Sequence, residues 1–143
     1  MSEIQNPINK TTDPEGKIWF SEWLDKKHFT NITIPTDPHC YYDIEADKDG
    51  KHYIFELKNR PCTSYAWNDN IIELNKFNIL HSISGEKYII NFFTDCFYIN
   101  KLDDDHELQN HFCQKTNNWN RNKVMKVLVS YKHKEANKRN YNE

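Results

Sequence analysis

The strongest constraint on what this chain can fold into is a short one. Asp49-Gly50 closes the segment Asp47-Lys48-Asp49-Gly50, which stands between two runs that alternate at strand period, Cys40 to Ala46 and Lys51 to Lys58. Asp-Gly favours a hairpin turn because both positions tolerate positive φ, and that twist suits two antiparallel strands. The chain is expected to double back there. Successive strand side chains point to opposite faces. Tyr53, Phe55 and Leu57 therefore share one face of the second run, and Ile54, Glu56 and Lys58 the other. On the first run Tyr42, Ile44 and Ala46 face one way, and Tyr41, Asp43 and Glu45 the other.

Two registers are open. A two-residue turn at Asp49-Gly50 pairs Lys48 with Lys51 and sets Asp43 directly opposite Glu56. A four-residue loop from Asp47 to Gly50 pairs Ala46 with Lys51 and sets Asp43 opposite Ile54, diagonal to Glu56. In either register both carboxylates lie on one face.

Around the hairpin the pattern alternates between helix and strand. Asp13-Pro14-Glu15-Gly16 reads as a turn before an amphipathic helix over Lys17 to Phe29, with Trp19, Phe20, Trp23, Leu24 and the stem of Lys27 on its apolar face. Asn31 to Pro35 is a short β-prone run. Arg60-Pro61 ends the second hairpin strand, because proline cannot donate to a ladder. Asn68 or Asp69 caps a second helix reaching about Leu80, and Ser82 to Glu86 makes a turn. Lys87 to Phe93 and Cys96 to Ile99 form a second hairpin, Glu107 to Gln114 reads as a short helix, and Lys123 to Tyr131 as a late strand. The expectation is a single α/β domain over residues 13–131, with a mixed central β-sheet flanked by α-helices. Residues 1–12 read as a flexible lead-in and residues 132–143 as a basic flexible tail.

With 143 residues the chain fits one modest core. No stretch is long and apolar enough for a membrane span, so the protein is expected to be cytoplasmic, without a membrane partner. Four widely spaced cysteines with no CxxC pair suit reduced thiols; His39-Cys40 with His111-Phe112-Cys113 is a generic and therefore weak zinc pattern. Abundant Asn and Lys beside three Gly suit an AT-rich coding genome, as in a phage or mobile element. Charge is unevenly spread. From Lys115 onward eight basic residues, Lys123 and Lys126 among them, stand against Glu135 and Glu143, while the rest of the chain is acidic. An acidic body with a basic arm suits a cation site beside phosphate contacts; a solvated tail is the plainer alternative.

Two carboxylates forced close need a proton or a cation to coexist. Mg²⁺ takes hard oxygen ligands and is commonly held by one or two carboxylates plus substrate phosphate oxygens, so Asp43 and Glu56 form a minimal site. Lys58, on the same face, is placed to help deprotonate an attacking water or to neutralise charge that builds on a phosphoryl group.

Tyr42-Asp43, a hairpin, then Glu56-Leu57-Lys58 resembles the core motif of the PD-(D/E)xK nuclease superfamily. The order helix, three strands, helix, strand over about Gly16 to Phe93 is similar to its restriction-endonuclease-like core. Tyr42 stands where the family name has proline. The resemblance implies Mg²⁺, with Mn²⁺ able to substitute, bound by Asp43, Glu56 and the backbone carbonyl of Leu57, and Lys58 assisting the attacking water. It also implies a first-helix carboxylate, for which Glu22 is the candidate, and a second-helix residue near the scissile phosphate, for which Lys76 stands within the Ile72–Ile79 stripe. Their plain readings are a surface glutamate and a lysine snorkelling at the core edge. Arg60 continues the Glu56, Lys58 alternation and is a candidate phosphate contact, or else a strand-end charge. The implied function is a Mg²⁺-dependent endodeoxyribonuclease, structure- or partner-directed because so short a chain carries little apparatus for reading sequence. DNA is its implied partner, and a homodimer its arrangement where two strands are cut. The alternative is a catalytically silent nucleic-acid-binding or accessory protein on the same fold.

Overall fold

The computed structural model describes residues 13–66, 69–114 and 123–143. The lead-in 1–12 and the cap candidate Asn68 lie outside them, as do the side chains of Lys123, His111 and Cys113. The elements run α1 (Asp13–Lys26), β1 (Thr30–Thr33), β2 (Ile44–Lys48), β3 (Lys51–Asn59), β4 (Asp69–Glu73), α2 (Leu74–His81), β5 (Glu86–Phe92), β6 (Phe97–Lys101), β7 (Glu107–Gln114), β8 (Lys123–Lys132) and β9 (Lys138–Arg139), with single 3₁₀ turns at Ser64–Ala66 and Glu135–Asn137. It is a mixed α/β fold. A six-stranded sheet has the order β1-β2-β3-β5-β6-β9, and β4-β8-β7 form a second, three-stranded sheet. Its pairs are antiparallel except β3 with β5, which run parallel.

The hairpin adopts the two-residue turn: Lys48 pairs with Lys51 and Ile44 with Phe55. Asp49 and Gly50 both have positive φ, 52° and 77°, the conformation that makes such a turn compatible with strand twist. β3 then feeds both faces of the sheet. Phe55 joins the core under α1, with Phe20, Trp23, Leu24, Ile44, Ala46, Ile90, Phe92, Phe97 and Tyr141. Ile54 joins the core on the other side, with Ile89 of β5, Leu102 just after β6, Phe77 and Leu80 of α2, and Ile72, Val129 and Tyr131 of the second sheet. Tyr42 departs from the alternation: it packs against this second cluster and donates to Glu45, because β2 begins only at Ile44.

Several boundaries moved for identifiable reasons. Asp13 to Gly16 is the first turn of α1, a place where proline is tolerated because that N–H has no intrahelical partner. α1 ends before Phe29. His28 takes a left-handed φ of 70°, while Phe29 N–H reaches Leu24 C=O and His28 N–H reaches Asp25 C=O, the paired bonds of a Schellman cap. Asp69 starts a strand, not a helix: β4 pairs antiparallel with β8, Asp69 against Lys132 and Ile72 against Val129, and only Leu74–His81 is helical. Glu107–Gln114 is likewise a strand, β7, paired along β8. In both segments partners distant in sequence satisfy the backbone, and local periodicity cannot see them. The closing residues are also not a free tail. β9 pairs with β6, and Tyr141 is buried, its hydroxyl donating to the carbonyls of Phe93 and Cys96. Among the described residues no helix is long and apolar enough to cross a membrane.

Candidate functional site

Beside the C-terminal half of β3, side chains from five elements meet. Glu56 is the centre. Its side chain projects to the α2 side of the sheet, where the hairpin alternation puts it, and is only 4% exposed. Lys58 Nζ lies 3.4 Å from Glu56 Oε1, and Lys76 Nζ 3.7 Å from Oε2. Oε2 is buried and has no hydrogen-bond partner. Desolvation, reinforced by the negative charge of Asp43, pushes the Glu56 carboxyl from an ordinary 4.5 up to about 7, and the two lysines only partly oppose this.

Asp43 sits one residue ahead of β2 and is held from two directions. Its backbone N–H donates to Phe55 C=O, and its Oδ2 accepts the Leu57 N–H at 2.7 Å. A side-chain oxygen thus satisfies a β3 backbone donor where β2 has not yet begun. Oδ1 lies 3.5 Å from Lys17 Nζ, which comes from α1. A carboxylate offers about four lone-pair sites, so these contacts leave acceptor capacity.

Lys76 reaches the cluster from α2, and its ammonium also donates to Tyr41 C=O at 3.1 Å, tying the helix to the chain entering β2. Beyond it lies Glu73, the last residue of β4. Lys126 on β8 donates to Glu73 Oε1 at 2.8 Å. That hydrogen bond first, helped by the charges of Lys126, Lys58 and Lys76, holds the Glu73 carboxyl below its ordinary range against the opposing effect of burial.

The structure therefore brings together Asp43, Glu56, Leu57, Lys58 and Lys76 and puts Lys126 at the margin of the same cluster. No protein-family model and no curated protein matches the chain. Glu22 is elsewhere: exposed, it lines a shallow depression with Ser21, Asp25, Lys26, Ile32 and Ile34, so the α1 residue that reaches the acid pair is Lys17. Arg60 is engaged within the protein. Its Nε donates to Asn91 Oδ1 at 3.2 Å and its Nη2 to Ile71 C=O at 2.8 Å, so it joins the central sheet to β4. Burial lowers its pKa. The Lys123 side chain lies outside the description.

Lys17 and Glu73 are the site residues that sequence reasoning passed over. Glu73 carried a usable signal, since β4–β8 pairing sets it against Leu128, on the same face as Lys126 two residues away; that signal required β4 to be recognised as a strand. Among the described residues no three His, Cys, Asp or Glu side chains converge as a ready-made cation site. What the arrangement offers is a two-carboxylate pair with one buried oxygen that lacks a hydrogen bond, ringed by lysines.

Proposed function

We propose that this chain is a Mg²⁺-dependent endodeoxyribonuclease with a restriction-endonuclease-like core, acting at the Asp43–Glu56 pair. The observation that carries the reading is the buried Glu56 Oε2, which has no hydrogen-bond partner, in a carboxyl that also feels the negative charge of Asp43. A buried carboxylate oxygen that lacks a hydrogen bond is costly even with an ammonium 3.7 Å away, and a divalent cation relieves both that cost and the repulsion from Asp43. The donor set is hard oxygen, as Mg²⁺ requires and Mn²⁺ accepts.

In this reading Asp43 and Glu56 hold the ion, with the Leu57 carbonyl as a third ligand. Bound Mg²⁺ supplies Lewis-acid polarisation of the phosphoryl oxygen and a lowered pKa for the attacking water. Lys58, anchored at Glu56 Oε1, takes or holds a proton at that water's oxygen, or neutralises charge growing on the phosphoryl oxygens. Lys76, fixed between Glu56 and the Tyr41 carbonyl, orients a phosphate of the DNA backbone. Lys126 is paired with Glu73 and serves as a flanking contact, and a homodimer would bring two such sites to opposite strands.

The test is cleavage of linear, nicked, branched and single-stranded DNA with Mg²⁺ or Mn²⁺. Glu56→Ala and Lys58→Ala are each expected to lower the rate by about 10²-fold or more. Activity that survives both substitutions would end the assignment.

A second reading has its own support. Lys17 and the Leu57 N–H already engage Asp43, and Lys58 and Lys76 flank Glu56, so the cluster balances its charge without a metal. This is what a catalytically silent nucleic-acid-binding scaffold would carry. Calorimetric titration separates the two, because a scaffold takes up no Mn²⁺ in a manner that depends on Glu56.

A further inference from the structure

The acid pair faces more positive charge than it needs. Lys17 arrives from α1, Lys58 from β3 and Lys76 from α2, so three ammonium groups serve two carboxylates. The three are not held alike. Lys76 is fixed a second time by the Tyr41 carbonyl, and Lys58 follows the strand that carries Glu56 itself. Lys17 belongs to a different layer of the molecule and meets the site at Asp43 Oδ1, across 3.5 Å, with its side chain about a quarter exposed (26%). Asp43 Oδ2 is occupied by the Leu57 N–H at 2.7 Å, a bond within the hairpin that fixes the carboxylate's direction. Oδ1 is the oxygen outside that bond, and it is the one that Lys17 covers.

We infer that Lys17 is a resident counter-ion of the acid pair that a divalent cation must displace, so that cation binding and polyanion binding at this site are coupled through it. The inference rests on the nuclease reading. A divalent ion on Asp43 Oδ1 stands within a few ångströms of the Lys17 ammonium, and like charges at that distance repel strongly even in a partly hydrated setting. The ammonium ends a flexible four-carbon stem with a route to solvent. It leaves Asp43 and points outward, where a nucleic-acid phosphate lies when the backbone approaches the pair. Lys17 therefore competes with the cation when no polyanion is present and assists both ligands when one is. Linkage makes this reciprocal: DNA tightens the cation by the factor by which the cation tightens DNA.

The experiment titrates Mn²⁺ alone into the full chain by calorimetry, comparing wild type, Lys17→Met and Lys17→Arg. It is then repeated with a saturating phosphorothioate-backbone oligonucleotide. Lys17→Met is expected to bind Mn²⁺ about three- to tenfold more tightly than wild type in the absence of DNA, a range set by the partial exposure of the pair. It is also expected to lose most of the tightening that the oligonucleotide brings. Lys17→Arg retains the charge and is expected to match wild type in both titrations. Equal or weaker Mn²⁺ binding by Lys17→Met, with wild type binding normally, overturns the inference and leaves the nuclease reading standing. If neither wild type nor Lys17→Met takes up Mn²⁺, with or without the oligonucleotide, the nuclease reading fails and the inference falls with it.

Discussion

On the α1 side of the central sheet, Phe20, Trp23, Phe55, Phe92 and Phe97 meet edge-to-face, stacked or tilted, with ring centroids between 5.3 and 5.8 Å apart. On the opposite side, Asn70, Asn91, Asn100 and Glu56 are buried. Asn70 donates to Asn100, and Asn91 accepts from Arg60. One strand serves both, since β3 sends Phe55 to the first layer and Glu56 to the second. The first layer gains its stability from apolar area and ring geometry. The second spends some of that stability on polar groups that hold two sheets in register and set a carboxylate where water is scarce. A sheet face covered by a helix alone can be wholly apolar, whereas a face that must position charge cannot.

The largest expected effect lies in the first layer. Phe20→Ala removes a ring that touches Trp23, Phe55 and Phe92, and should lower the unfolding free energy in urea by about 3–5 kcal/mol. A loss under about 1 kcal/mol would break the contrast, because α1 would then be a cover and not a foundation.

Glu56→Gln tests the second layer, with the opposite sign. The folded-state pKa of Glu56, about 7, exceeds its ordinary 4.5, so the fold favours the protonated acid. Below pH 4.5 the residue is neutral whether folded or unfolded and costs little. As pH rises from 4.5 through 7 the unfolded chain ionises first, and stability is lost. Glutamine avoids this loss, so Glu56→Gln should match wild type near pH 4 and exceed it by up to about 3 kcal/mol at pH 8. Equal stability at both pH values would mean that Lys58 and Lys76 offset the burial fully.

The smallest effects sharpen the comparison by matching one chemistry across the two layers. Tyr141 donates to the carbonyls of Phe93 and Cys96 on the α1 side, and Tyr131 to the Leu102 carbonyl on the other. Tyr141→Phe should cost about 1–2 kcal/mol and Tyr131→Phe about 1 kcal/mol, because the Tyr141 hydroxyl serves two carbonyls, of which Cys96 keeps the Phe93 N–H, and the Tyr131 hydroxyl serves one. Thermal unfolding of the two variants side by side ranks them, and a reversed order would show the second layer to be the less tolerant of an unmet polar group.

Much of this was legible in the residues. Asp49-Gly50 announced the hairpin while leaving two registers open, and the period-2 pattern from Tyr53 to Lys58 assigned each side chain its face. The 3.6-period pattern of Phe20, Trp23 and Leu24 marked the buried side of α1. Such signals depend on neighbours within a few positions, where chain geometry alone decides which side chains coincide.

What tertiary structure alone decided were the relations between distant segments. Asp69–Glu73 and Glu107–Gln114 became strands because β8, far along the chain, supplied their hydrogen bonds. Tyr141 turned a basic closing segment into part of the core. Arg60 was drawn between the two sheets, and Lys17, not Glu22, reached Asp43. A sequence fixes the direction of a side chain through its own backbone. Which partner waits there depends on how the layers dock, and docking is set by the summed burial of many residues and not by any local pattern.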